Sequence, residues 1–189
     1  MPTQADAPLH LRLLGAPRLA RGETEVRLTT RKSLALLSVV AVERRTTRAK
    51  LAGLFWGHGD ADAARRNLRR ELHRLREAGM GDALLADDDI VAVSPRLDCD
   101  VHAFLAALED GRAHDAAVAY AGPLMDGFDL ADGGAFDDWL AQQRDLLARR
   151  FGEATRRHAE ALEATGDAAG ALQSYTRLIA QEPLQESHY

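Results

Sequence analysis

Residues 61–77, "ADAARRNLRRELHRLRE", constrain the fold more than any other stretch of this chain, because only an amphipathic helix gives every side chain a suitable place. At about 100° per residue, Ala61, Ala64, Leu68, Leu72 and Leu75 fall in one narrow stripe. Arg66, Arg70 and His73 lie nearly opposite, flanked by Asn67, Arg69 and Arg74, while Arg65 and Arg76 border the apolar stripe. The leucines need a core to lie on. The opposite face concentrates six arginines within residues 63–76 of a chain whose formal net charge is -5. Glu71 and Glu77 can pair with Arg74 and His73, as on an ordinary ion-paired surface helix. Two glutamates nevertheless cannot neutralise six arginines and a histidine, and phosphate is the better counterion. Arginine suits phosphate oxygens and, bidentately, the guanine edge, and asparagine suits adenine.

The remaining basic residues point the same way. "TTRKSLALLSVVAVERR" reads as a helix capped by Thr29 or Thr30, with Leu34, Leu37, Val40 and Ala41 along one stripe. "TTRAKLAGLFW" repeats the pattern with Thr46 or Thr47 as cap and Leu51, Leu54 and Phe55 as its apolar side. Arg31 and Lys32 occupy the first turn of one helix, and Arg48 and Lys50 that of the next. Cations there oppose the helix dipole at a small cost. The free N–H groups of a helix start also attract anions, so a phosphate nearby would explain both placements. The arginine helix itself is capped by Asp60 or Asp62 and ends in glycines.

Strands frame these helices. "LHLRLLG" alternates, with Leu9, Leu11 and Leu13 on one face and His10 and Arg12 on the other. A turn at Gly22 leads to a second alternating run, Val26 and Leu28. "ALLADDDIVAVSP" reads as a ribbon, Ala83–Ala86 and Ile90–Val93, joined by an aspartate turn. Near Pro95 the pattern changes, and the second half of the chain is helical. One helix starts at Asp98 or Asp100, another runs through "AHDAAVAYAGP" to Gly122–Pro123, and "PLMDGFDLADGGAF" is loop. A long amphipathic stretch then runs from "DDWLAQQ" to Gly166, followed by a shorter helix ended by Pro183.

Charge follows the same division. Residues 1–80 carry 16 Lys/Arg against 8 Asp/Glu, and the remainder 8 against 21. A basic front and an acidic back predict two domains with different partners, the front one meeting a polyanion. The break near Pro95 further predicts that residues 1–95 fold and bind DNA alone. A chain 46% hydrophobic over 189 residues can bury one sizeable core or two smaller ones. No apolar run reaches membrane-spanning length and no secretory leader opens the chain. A soluble cytoplasmic protein, with no membrane partner, is expected.

Several residues resemble reaction chemistry. Cys99 lies between Asp98 and Asp100, which should raise its pKa and make it a poor nucleophile. Asp98, Asp100 and His102 would share one face of an extended segment, as metal ligands do, but capping by Asp100 of the helix "VHAFLAAL" accounts for them more simply. His58 sits in the glycine-rich link "GHGD" without a paired ligand. No phosphate-binding loop, dinucleotide fingerprint, zinc-finger spacing or nucleophile elbow is present, and neither an enzyme nor a bound cofactor is expected. Trp139, Leu140, Leu146 and Leu147 fit core packing better than a partner groove.

"TTRKSLALLSVV", "TTRAKLAGLFWGHGDADAARRNLRRELHRLREAG" and the ribbon before "LDCDVHAF" resemble the winged-helix domain of the SARP-type (antibiotic regulatory protein) activators. "YAGPLMDGF", "WLAQQRDLLARRFGEATRRHAEAL" and "GDAAGALQSYTRLIAQEPLQESHY" are similar to the tetratricopeptide-like bacterial transcriptional activator domain that comes after it in that family. The resemblance implies a mainly α chain with a small β component: a winged helix-turn-helix over 9–95 and an all-α domain over 98–189. It implies a sequence-specific transcriptional activator whose residues 61–78 enter the major groove of promoter DNA. Thr47, Arg48 and Lys50 would lie near phosphate, and the 83–93 ribbon would be the wing. It further implies side-by-side copies on direct repeats and contact with RNA polymerase. The wing turn departs from the pattern: Asp87, Asp88 and Asp89 repel phosphate, which argues against contact at the tip. The alternative function is a protein-interaction scaffold whose winged helix has lost DNA. A phosphotransfer response regulator lacks its receiver domain in this sequence. A repeat array needs a capping unit after Pro183, so a truncated form or the front piece of a longer regulator is expected.

Overall fold

The computed structural model describes residues 7–181; Pro183 and the segment after it lie outside the described residues. The chain begins with β1 (Leu9–Arg12), β2 (Arg18–Arg21) and β3 (Thr24–Glu25). The alternation expected of residues 9–15 is what the structure uses: Leu9, Leu11 and Leu13 are buried, with the polar residues between them on the other face. The second alternating run is shorter than expected, since β3 stops at Glu25. Val26 and Leu28 pack on the core from a non-strand segment.

Helix α1 (Arg31–Glu43) is next, with Thr30 as the N-cap accepting from the Ser33 amide. Every residue from Ala35 to Ala41 is buried, so this is a central helix enclosed on nearly all sides rather than a one-stripe surface helix. Then come β4 (Arg45–Thr47), α2 (Arg48–Trp56) and α3 (Ala61–Leu75), with Thr47 and Asp60 as the caps. A wider turn over Arg76–Met80 closes on Gly79, at φ 81°, a conformation suited to glycine. The ribbon is β5 (Leu84–Ala86) and β6 (Ile90–Val93). It carries a third strand that alternation did not reveal, because β4 is only three residues long; the order is β4-β6-β5, all antiparallel.

Past Pro95 lies β7 (Leu97–Cys99), and it does not belong to the back of the molecule alone. It pairs in parallel with β1, Leu9 opposite Leu97 and Leu11 opposite Cys99, completing a sheet of order β3-β2-β1-β7. Helices α4 (Asp100–Glu109), α5 (Ala113–Ala119), α6 (Ala135–Ala164) and α7 (Ala168–Gln181) complete the chain. Asp100 does not cap α4 as expected; Cys99 is the N-cap residue and its side chain makes no capping bond. The Asp100 carboxylate instead accepts the amides of Leu13 and Leu14 at 2.9 to 3.0 Å, as well as that of Val101. The β1 strand has run past its last partner there, and buried N–H groups must find an acceptor. Burial raises the Asp100 pKa despite these bonds.

The glycine- and aspartate-rich segment 123–134 has no regular structure, yet it is an anchor. Leu124 and Met125 are wholly buried, and Met125 N–H donates to the Leu13 carbonyl at 2.7 Å. Arg144 of α6 donates to the carbonyls of Leu124 and Met125. Phe136 and Trp139, at the start of α6, stack with each other, and Phe136 stacks on Phe55 of α2 at 5.4 Å. Trp139, Leu140 and Leu147 are therefore core, whereas Leu146 is 36% exposed. One hydrophobic cluster runs from Leu9 to Ala154 without interruption at Pro95.

Candidate nucleic-acid interface

The face of α3 is set from below. Ala64, Leu68, Leu72 and Leu75 are buried, as the wheel requires, while Ala61 is exposed in the first turn. Glu71 is buried with them and fixes the helix to the start of α1. Its carboxylate accepts from the hydroxyls of Thr30 (2.6 Å) and Ser33, and from Arg74 at 3.0 Å. Burial alone would push the Glu71 pKa up, but these donors outweigh it and hold the carboxyl below its ordinary range. Nothing in the sequence pattern marks Glu71 as buried. The capping hydroxyls that claim it are 41 and 38 residues away.

Above this anchor the arginines divide. Arg74 is half-buried and committed to Glu71. Arg65, Arg66, Arg69, Arg70, His73 and Arg76 are exposed, and Asn67 is half-exposed between them. Their local partners are other surface groups: Asp62 for Arg65 (2.7 Å), Asp60 for Arg66 (4.0 Å), Asn67 for Arg70 (2.9 Å) and Glu77 for His73 (3.2 Å). The helix-start aspartates thus join the charge balance that Glu71 and Glu77 were expected to carry. Exposed pairs of this kind are worth about 0–1 kcal/mol, so these side chains are only weakly held.

The cations at the starts of α1 and α2 are placed differently. Arg31 reaches into the second half, donating to the Asp129 carboxylate at 2.7 Å and lying over the Phe128 ring at 4.6 Å. Lys32 lies over the Trp56 ring. Lys50 pairs with Glu43 at 2.7 Å, and the same Glu43 oxygen accepts the Trp139 indole N–H at 2.9 Å. Thr47 caps the Lys50 amide at 3.1 Å. Arg48 holds the wing turn, its side chain donating to the Asp87 carbonyl and its amide to that of Asp89. Asp87 folds its own turn by accepting the amides of Asp89 and Ile90, which keeps its carboxyl acidic.

The residues that looked catalytic disperse. Asp98 binds His10 and Arg12, Asp100 binds backbone of Leu13 and Leu14, and His102 meets the Ala41 carbonyl at 2.7 Å. Among the described residues no cluster of three or more metal-ligating side chains forms. The Cys99 thiol is pushed up to about 12, by burial first and by the neighbouring aspartates second. His58 packs against Gly134, φ 40°, where a Cβ would stand 3.0 Å from Nε2. No described helix is long and apolar enough to cross a membrane.

A three-helix unit whose last helix has one buried and one exposed face, followed by a β-ribbon and joined to a helical second half, has the architecture of a winged helix with a helical extension. Residues 99–189 match the family described as the bacterial transcriptional activator domain. Over 93% of its length the chain is similar in fold to a structure of EmbR from Mycobacterium tuberculosis in complex with a low-affinity phosphopeptide, at 22% identity and a TM-score of 0.55. It spans 55% of that longer chain. No curated protein sequence matches. The second half of the chain therefore carries a bacterial transcriptional activator domain, and the chain as a whole shares the fold of EmbR.

Proposed function

We propose that this protein is a sequence-specific DNA-binding activator that lays α3 in the major groove, with Arg65, Arg66, Asn67, Arg69, Arg70 and His73 as the contacting set. The carrying observation is the exposed arginine face on a helix whose opposite side, including Glu71, is locked into the core. Binding as side-by-side copies on direct repeats and contact with RNA polymerase follow from the family. The acidic balance of the second half suits a basic polymerase surface. Thr47 and Arg48 remain candidates for phosphate contact beside the wing. Arg31, Lys32 and Lys50 bind within the protein in this structure and are left outside the contacting set.

A titration against random duplex DNA at several salt concentrations tests the reading. Affinity should fall steeply with salt. Arg70→Ala should keep stability within about 0.5 kcal/mol, as at ordinary surface sites. If Arg70 reads a guanine, it should cost about 1–3 kcal/mol at one base position; if it holds phosphate, the salt slope should drop by about one on every sequence. Binding that is absent at low salt, or unchanged in the Arg66→Ala, Arg70→Ala double variant, would favour the scaffold alternative.

A further inference from the structure

A cleft of about 720 Å³ opens where the end of α1, the segment before β7 and the start of α4 meet. Sites of this size hold small organic ligands. Its apolar lining comes from Leu97, Cys99, Ala103 and Ala106, and the two alanines leave room that larger side chains would fill. Charged groups on the rim are unevenly matched. Asp82 is neutralised by Arg21 at 2.8 Å, and Asp98 by His10 and Arg12. Arg44 and Arg96 also line the cleft, both exposed, and neither has a carboxylate oxygen within 4.0 Å among the described residues. The acids are thus already paired, Arg96 adding its field to that of Arg21 on Asp82, and the guanidinium groups of Arg44 and Arg96 keep their hydrogen-bond donors.

A further observation makes this more than a charged surface. Arg44 has φ 63° and ψ -37°, a backbone conformation that a residue with a Cβ rarely adopts. It is held there by its amide on Ala41 and by the Val93 amide on its carbonyl. Such strain persists where the surroundings over-determine it, and it collects at ligand sites. His102 lines the same cleft. Its Nε2 faces a carbonyl, which only accepts, so Nε2 carries the proton and the ring gives no donor to the anion.

We propose that this cleft binds a small organic anion, its carboxylate or phosphate-monoester head held by Arg44 and Arg96 and its apolar body lying on Leu97, Cys99, Ala103 and Ala106. The site would join the exit of α1, which leads directly into β4 and α2, to the first helix of the second half. An anion bound there would bear on how the two halves are held together.

The whole chain is titrated with benzoate, phenyl phosphate, the neutral analogue benzamide and inorganic phosphate, following backbone amide shifts. Saturable shifts at Leu97, Cys99, His102 and Ala103 are expected with one or both organic anions and not with benzamide; the tighter of the two identifies the head group. Arg96→Gln should weaken that binding about tenfold, as for loss of a charge-assisted hydrogen bond. Arg44→Gly, which removes the guanidinium and relieves the backbone, should weaken it comparably in a protein that still folds. The proposal is overturned by an absence of saturable shifts with either organic anion at millimolar concentration. Equal binding of inorganic phosphate, or affinity unchanged in both variants, would overturn it too. None of these results depends on DNA.

Discussion

Two sets of cations in the front half look alike in sequence and end in different situations. The set on α3 stands in solvent on a helix anchored from below, with partners that are themselves exposed. The set at the starts of α1 and α2 also touches the rest of the protein: Arg31 lies over the Phe128 ring, with Asp129 as an exposed partner, Lys32 lies over Trp56, and Lys50 pairs with a glutamate shared with Trp139. Count and position along a helix do not distinguish a cation available to an outside anion from one already matched. The difference is made by long-range packing of α6 and the loop before it against α2 and α1. The basic front and the acidic back are consequently not electrostatically separate, since two of the front's cations take their carboxylate or its bridge from the junction.

The largest expected effect comes from dissolving that junction. Phe136 is fully buried and stacks on Phe55 and Trp139. Phe136→Ala should destabilise by about 3–5 kcal/mol. Because β7 completes the front sheet and Asp100 holds the end of β1, the halves should lose stability together. Hydrogen exchange checks this. Amides of α1 and of α4 should lose protection in parallel; if only α4 opens, the front is independent and its second set of cations is free to act with the first. The same sheet pairing predicts that residues 1–95 alone are unstable, in contrast to what the charge break leads one to expect.

A smaller effect tests the anchor of the first set. Glu71→Gln keeps the shape but removes the charge that Arg74, Thr30 and Ser33 share, at a cost of about 2 kcal/mol at neutral pH. The folded Glu71 has a lowered pKa, so its contribution is present above the unfolded value and is lost as pH falls through the folded one. The difference between the native chain and Glu71→Gln should therefore shrink below about pH 4, where the unfolded carboxyl begins to protonate. Asp82, also lowered by Arg21, adds acid sensitivity to both proteins, and Asp100, raised by burial, acts in the opposite sense in both. Denaturant midpoints measured across pH 3–7 decide it. A difference independent of pH would mean that Glu71 contributes through packing alone.

These anchors show where the sequence is readable. Periodicity locates α3, its buried stripe and its arginine face, because side chains three and four apart share a side whatever the rest of the chain does. Capping chemistry places Thr30, Thr47 and Asp60, a local relation spanning three residues. The hidden features depend on partners far apart in sequence. Glu71 reads as a surface glutamate until Thr30 and Ser33 are brought to it. Asp100 reads as a helix cap until the unpaired amides of Leu13 and Leu14 are seen to need an acceptor. Likewise, a loop of glycine and aspartate gives no hint that Leu124 and Met125 are buried against β1's exit.

The smallest effect sharpens the comparison most. Lys50 and Arg70 are both exposed basic residues on helices of the front half, and the sequence makes both candidates for DNA contact. Lys50 donates to Glu43, which is itself mostly buried and shared with Trp139, whereas among the described residues Arg70 has only Asn67. Breaking the Lys50 pair should change stability by no more than about 1 kcal/mol, since its lysine end is solvated. Lys50→Ala should leave affinity for random duplex DNA and its salt slope unaltered, while Arg70→Ala lowers one or the other. Both proteins are titrated under identical ionic conditions, because slopes are comparable only then. A fall of about one in the slope for Lys50→Ala would show that this lysine leaves Glu43 to meet a phosphate. Cations tied at the junction would then be a reserve released on binding, and the division between the two sets would describe the free protein only.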